Sequence, residues 1–144
     1  MICTFIGHRD VPLRVKEPLK KILVDLIENK DVKLFYVGNH GNFDKVVKET
    51  LEELRLVYTH IECFQVLAYI PEKRQEFDNK DYSNTIYPSF LENKPPKYAI
   101  IERNKWMIER ADYVVTYVLY SGGAGVFKEI AEKKGKTVIN IPDI

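Results

Sequence analysis

Tyr113-Val114-Val115-Thr116-Tyr117-Val118-Leu119-Tyr120, followed at once by Ser121-Gly122-Gly123-Ala124-Gly125, is the stretch that decides the fold. A run with so little polar interruption predicts a central parallel strand covered on both faces. The glycines mark a tight turn, and Val126, Phe127, Ile130 and Ala131 then repeat at helical spacing. Thr137–Ile141 (TVINI) follows as a last strand. Upstream, Ile100, Arg103, Met107 and Arg110 share one side of a helix that begins near Lys97. The unit is therefore helix, strand, glycine turn, helix, strand.

The same alternation extends to the start of the chain. Met1–Ile6 (MICTFI) predicts an opening strand that stops at Gly7. Asp10 can cap a helix with Pro12 in its first turn, and Val15, Leu19, Ile22, Leu23, Leu26 and Ile27 form its buried stripe. Pro18 bends that helix or delays its start. Lys33–Val37 (KLFYV) is a second strand ending at Gly38. Gly41 or Asn42 opens a helix with Phe43, Val46, Val47, Leu51, Leu54 and Val57 inward, and Ile61–Ile70 is a third strand. Between Pro71 and Pro96 the pattern lapses into a polar segment with four prolines, the kind of long connection that is usually a lid or a mobile loop. Five strands and four helices result. They predict one α/β domain over residues 1–144, a Rossmann-like three-layer arrangement with a mostly parallel sheet.

Composition narrows the class. A chain of 144 residues makes one ordinary domain, and 45% apolar with 12% aromatic residues is too rich for disorder. Lys and Arg total 22 against 21 Asp and Glu, a net +1 that argues against nucleic acid as a partner. No apolar run approaches a membrane span and no cleavable leader opens the sequence, so a cytoplasmic protein with no membrane partner is expected. Cys3 and Cys63 lie within apolar runs and read as reduced core residues. The histidines His8, His40 and His60 lack metal-ligand spacing, so no metal and no cofactor is expected.

Parallel sheets bind ligands outside the carboxyl ends of their strands. Three segments follow predicted strands directly: Gly7-His8-Arg9, Gly38-Asn39-His40-Gly41-Asn42-Phe43-Asp44, and Ser121–Gly125. Parallel strands would gather all three on one edge. Gly122, Gly123 and Gly125 allow backbone N–H groups to approach an anion at a helix start, although a glycine-rich turn with no ligand has the same composition. Neither the GxGxxG dinucleotide fingerprint nor a Walker lysine is present. Arg9 can make a bidentate phosphate contact and His8 can donate to a phosphate or ribose; an arginine paired with a carboxylate and a strand-capping histidine are the structural alternatives. Asp44 can accept from ribose hydroxyls or simply sit in a helix's first turn. Arg103, on an apolar stripe, needs an anion, a carboxylate partner or an exit to solvent. Glu129, one turn beyond Gly125, can reach back to the glycine loop or stay solvated. Trp106 reads as a packing residue, while Tyr82, Tyr87 and Tyr98 can cover a base or pack.

Taken together these residues resemble a family. Arg103-Asn104-Lys105-Trp106-Met107, Ala111-Asp112 and Gly122-Gly123-Ala124-Gly125 with Glu129 are similar to the Arg-Lys-x-x-Met helix, Ala-Asp strand start and PGGxGTxxE loop of the Lonely-Guy (LOG) phosphoribohydrolases. Gly7-His8-Arg9 and Gly38, Gly41 and Asp44 resemble the small stand-alone members of the wider SLOG (Smf/DprA–LOG) superfamily found in Firmicutes and their phages. The resemblance implies a glycine loop that holds phosphate and, in LOG enzymes, an arginine and a glutamate that assist cleavage of the N-glycosidic bond; by position these are Arg103 and Glu129. It also implies a homo-oligomer. Ser121 stands where the motif has proline, Val126 where it has threonine, and Lys128 where it has the first of two glutamates. Those departures shift the expectation from hydrolysis toward holding anions.

The leading expectation is a protein that binds a nucleotide or nucleotide-derived ligand, ADP-ribose-like or a nucleoside monophosphate, as a sensor or sequestering protein. Its binding residues would be Gly7, His8, Arg9, Gly38, Asn39, Gly41, Asp44, Ser121, Gly122, Gly123 and Gly125. The alternatives are an N-glycosidase acting on nucleoside 5′-monophosphates through Arg103 and Glu129, and a scaffold for single-stranded DNA or protein.

Overall fold

The computed structural model describes residues 1–69 and 84–144. Its strands are β1 (Ile2–Gly7), β2 (Leu34–Val37), β3 (Glu62–Val66), β4 (Thr85–Ile86), β5 (Tyr113–Tyr117) and β6 (Thr137–Asn140). The helices are α1 (Lys16–Asn29), α2 (Gly41–Arg55), α3 (Ala99–Arg110) and α4 (Gly123–Lys133). All six strands are parallel, in the order β4-β3-β2-β1-β5-β6. This is the expected Rossmann-like α/β domain, with six strands in place of five. The added strand, β4, is two residues at the sheet edge inside the segment predicted to be irregular. Residues 71–83 of that segment, and Tyr82 with them, lie outside the described residues; beyond β4 come 3₁₀ turns at Ser89–Asn93 and Pro96–Tyr98.

Side chains alternate across the pleat and feed two separate cores. Cys3, Phe5, Phe35 and Val115 face α1 and α2, meeting Leu19, Leu23, Val47 and Leu51. Ile6, Val66 and Val114 face the other way, onto Met107 and Ile108 of α3 and Phe127 and Ala131 of α4. Three layers follow, each helix burying one stripe.

Helix boundaries differ modestly from expectation. Asp10 does not cap α1: a 3₁₀ turn at Leu13–Val15 comes first and α1 begins at Lys16. Pro18 falls in its first turn, where a missing N–H leaves no intrahelical bond unmade. Trp106 packs on Tyr36 and carries Arg110 over its ring, 4.0 Å from the centroid. Cys3 is buried and Cys63 half-buried, and neither is bridged. Among the described residues, no helix is long and apolar enough to cross a membrane.

One topological fact positions the site. The chain runs outward from β1 through β2 and β3 to β4, then returns to lay β5 on the opposite side of β1. Strand order therefore reverses between β1 and β5, where the loops leaving the two strands diverge and open a crevice.

Candidate functional site

The crevice is an open cleft of about 470 Å³ at the carboxyl ends of the strands. Gly7 at the end of β1 and His8, Arg9 and Asp10 after it line the cleft, as do His40 just before α2, Asp44 in its first turn, and Tyr120, Gly123 and Ala124 from the turn into α4. Arg103 and Asn104 of α3 contribute as well. The three loops singled out in the sequence thus meet around one space.

Direct bonds tie them together. The Asn42 N–H donates to the Arg9 carbonyl at 2.6 Å, holding the first loop to the second. The Leu119 N–H donates to His8 Nε2 at 2.9 Å, holding the first to the third. Because Nε2 accepts, the neutral ring carries its proton on Nδ1, and burial lowers the pKa of the imidazole below its usual value. Any donation to a ligand from His8 therefore comes from Nδ1. Among the described residues that nitrogen makes no hydrogen bond and is not fully buried, and His8 is one of the residues lining the cleft.

Among the described residues Arg103 is the largest fully buried side chain, at 1% exposure. Its Nη1 donates to the Val66 carbonyl at 2.9 Å and to Asn39 Oδ1 at 3.0 Å, Nε donates to Asn104 Oδ1 at 2.8 Å, and Nη2 lies 3.4 Å from His40 Nδ1. The guanidinium thus joins the ends of β2 and β3 to α3. Burial draws its pKa down, while the negative charge of Asp44 opposes that shift.

Asp44 is half-buried beside this cluster and accepts the His40 N–H at 3.0 Å. Burial pushes its carboxyl up to about 6, against the pull of that hydrogen bond and of the Arg103 charge. His40 is moved the other way, lowered first by burial and then by Arg103 and Arg9. Gly38 lies where the two charged groups converge: a Cβ there would sit 2.7 Å from Asp44 Oδ2 and 3.1 Å from Arg103 Cζ. A side chain there would force the Asp44 carboxylate or the Arg103 guanidinium to shift.

The turn after β5 is braced by a residue the sequence reading passed over. Asn140, at the end of β6, accepts from the Thr116 hydroxyl and the Val118 N–H through Oδ1, each at 2.9 Å, and donates through Nδ2 to the Val118 carbonyl and to Asp143. Beyond it the backbone enters α4 through Gly122 at φ +150°, ψ −161°, a conformation open to glycine alone. Gly123 starts the helix with nothing within 4 Å of where a side chain would project.

The remaining predicted residues take different places. Arg9 is exposed, and among the described residues its guanidinium makes no hydrogen bond or ion pair. Asn39 acts through Arg103, and Gly38 and Gly41 shape the second loop without lining the cleft. Ser121, Gly122 and Gly125 are part of the turn but do not line the cleft either. Glu129 is exposed on α4 and is not brought to the cleft beside Arg103. Asp10 and Tyr120 line it without having been singled out as ligands. Their signal was positional, since each lies within three residues of a strand end. Among the described residues no three His, Cys, Asp or Glu side chains are grouped as a metal ion would need.

Architecture and site together define a Rossmann-like α/β domain with a cleft of mixed polar and apolar lining at its topological switch point. No protein-family model and no curated protein matches the chain.

Proposed function

We propose that this cleft binds a nucleotide or nucleotide-derived ligand, a nucleoside monophosphate or an ADP-ribose-like molecule, and that the protein is a sensor or sequestering member of the SLOG group. One observation carries the reading: Arg9, a cation with no protein partner among the described residues, lines the same cleft as Gly123 and Ala124, the first residues of α4. An unpaired guanidinium and the amino end of a helix attract the same kind of ligand, an anion with several acceptor oxygens. The His8 Nδ1–H adds a neutral donor beside them, and Asp44 an acceptor of the kind ribose hydroxyls use.

Binding is favoured over hydrolysis because Arg103 is committed to protein acceptors and Glu129 stands outside the cleft. Calorimetry with AMP, ADP-ribose and cyclic ADP-ribose isomers tests the proposal. Saturable binding to the wild type, weakened in Arg9→Ala, is expected; no heat at millimolar ligand would refute it. A glycosidase reading retains one supporting observation, a cleft carboxyl held near neutrality at Asp44. Release of free adenine from AMP, abolished in Asp44→Asn and retained in Glu129→Gln, would establish that activity.

A further inference from the structure

Tyr120 combines two properties that ordinarily exclude each other. The residue is 63% exposed, yet its ring is held parallel to the His8 imidazole, with centroids 3.9 Å apart and an interplanar angle of 5°. His8 is itself buried and pinned by the Leu119 N–H, so the imidazole is a stationary backing plate. Stacking covers one face of the phenol ring, and the exposed area belongs to the other. Tyr120 is part of the cleft lining, together with Ile100, Ile101 and Phe127.

We propose that the free face of Tyr120 is the seat of the ligand's nucleobase, and that the His8–Tyr120 stack rather than the glycine turn selects nucleotides over other phosphorylated molecules. The inference rests on the reading of the cleft as a nucleotide site. A sugar phosphate would satisfy Arg9 and the start of α4 but leave the aromatic wall in water. An uncharged aromatic would do the reverse. A nucleotide carries both chemistries in one molecule, and a base stacks on tyrosine whatever its hydrogen-bonding edge. His8 contributes by holding the phenol in one orientation, so little side-chain freedom is lost when a base arrives.

The test compares AMP, ADP-ribose and ribose 5-phosphate on wild type, Tyr120→Ala and Tyr120→Phe by calorimetry. Tyr120 is solvent-exposed, so neither substitution disturbs either core. Wild type should bind AMP or ADP-ribose at least several-fold more tightly than ribose 5-phosphate. Tyr120→Ala should weaken nucleotide binding roughly 5- to 100-fold, as loss of one stacking partner does. Tyr120→Phe should stay within about twofold of wild type, because the ring face is kept. Nucleotide affinity unchanged in Tyr120→Ala would overturn the proposal. So would equal losses for nucleotide and sugar phosphate, which would mean the turn had collapsed rather than a stack been lost. Wild type binding ribose 5-phosphate as tightly as AMP would overturn it while leaving an anion site standing. Wild type binding neither nucleotide would instead remove the nucleotide reading itself, and this inference with it.

Discussion

The Leu119 amide donates to His8 Nε2 across 2.9 Å, joining the loop after β5 to the loop after β1 at the point where strand order reverses. The bond exists only while His8 is neutral, since a protonated imidazole has no acceptor nitrogen. Both His8 and His40 have folded-state pKa values below the ordinary value of 6.5. Their contribution to stability is complete above the unfolded value and is lost as pH falls below it toward the folded values. Asp44 titrates with the opposite sign in the same window, so the histidine contribution is read as the difference between wild type and a His8 variant in thermal denaturation across about pH 5 to 8. His8→Gln keeps an acceptor and removes a titrating group, so it should lose less stability than wild type on the acid side of about 6.5; superimposable profiles would contradict the account.

Asp44 has the opposite sign. Its folded pKa, about 6, stands above the ordinary 3.8, so ionisation disfavours the folded state as pH rises between those values. That displacement sets a ceiling of about 3 kcal/mol at neutral pH. The attraction of Arg103 is already contained in that net displacement, and relaxation and water around a half-buried carboxylate reduce the figure further. Asp44→Asn, whose amide oxygen can still accept the His40 N–H, should therefore gain about 1–2 kcal/mol in urea denaturation near neutrality, and almost nothing near pH 4. A neutral-pH loss would show that the Arg103 interaction outweighs the burial of the carboxylate.

Gly38 and Gly123 should respond differently to alanine. At Gly38 the added Cβ meets Asp44 and the hydrogen-bonded guanidinium of Arg103, so about 1–3 kcal/mol of stability should be lost. At Gly123 the methyl meets nothing, and stability should hold or rise by up to about 1 kcal/mol. A methyl on the cleft lining should nevertheless weaken AMP binding in Gly123→Ala. Paired melts and titrations separate the two, and a destabilised Gly123→Ala would break the distinction.

Asn140→Ala should cost about 1–3 kcal/mol, because the Val118 N–H and the buried Thr116 hydroxyl lose their acceptor together. Amide hydrogen exchange at Val118 and Leu119 should accelerate more than exchange within β1. Uniform acceleration would mean that Asn140 supports the whole sheet and not the turn.

The strand–helix alternation is legible in the sequence because strands of a covered parallel sheet read as largely apolar runs, clearest in β1 and β5. The signal is weaker in β3 and β6, whose exposed Glu62 and Thr137 interrupt the pattern. Thr85–Ile86 escapes because two residues at an edge leave no periodicity to detect. Glycines after strands pointed to loops that the structure brings around one cleft. The choice among polar residues was less visible. Arg103 on an apolar stripe called for an anion, a carboxylate partner or an exit to solvent; it is instead buried with hydrogen bonds to Asn39, Val66 and Asn104, two of them distant in the chain and each an uncharged oxygen. Glu129 was paired with it by motif position alone. Helix phase points elsewhere: Phe127 and Ala131 are buried on the sheet side of α4, so Glu129 faces away. Asn140 gave no local sign, since its importance lies in a neighbouring strand.

The guanidinium of Arg103 also bears on the order in which the molecule assembles. Its acceptors at Asn39 and Val66 are 64 and 37 residues away in the chain. During synthesis the early strands emerge long before this arginine does, and until α3 docks the first half of the sheet lacks the cation that ties its rim together. A nascent chain can thus lay down β1 to β3 with a loose upper edge. Closure of that edge belongs to the late, long-range stage of folding, when distant segments are finally drawn into contact.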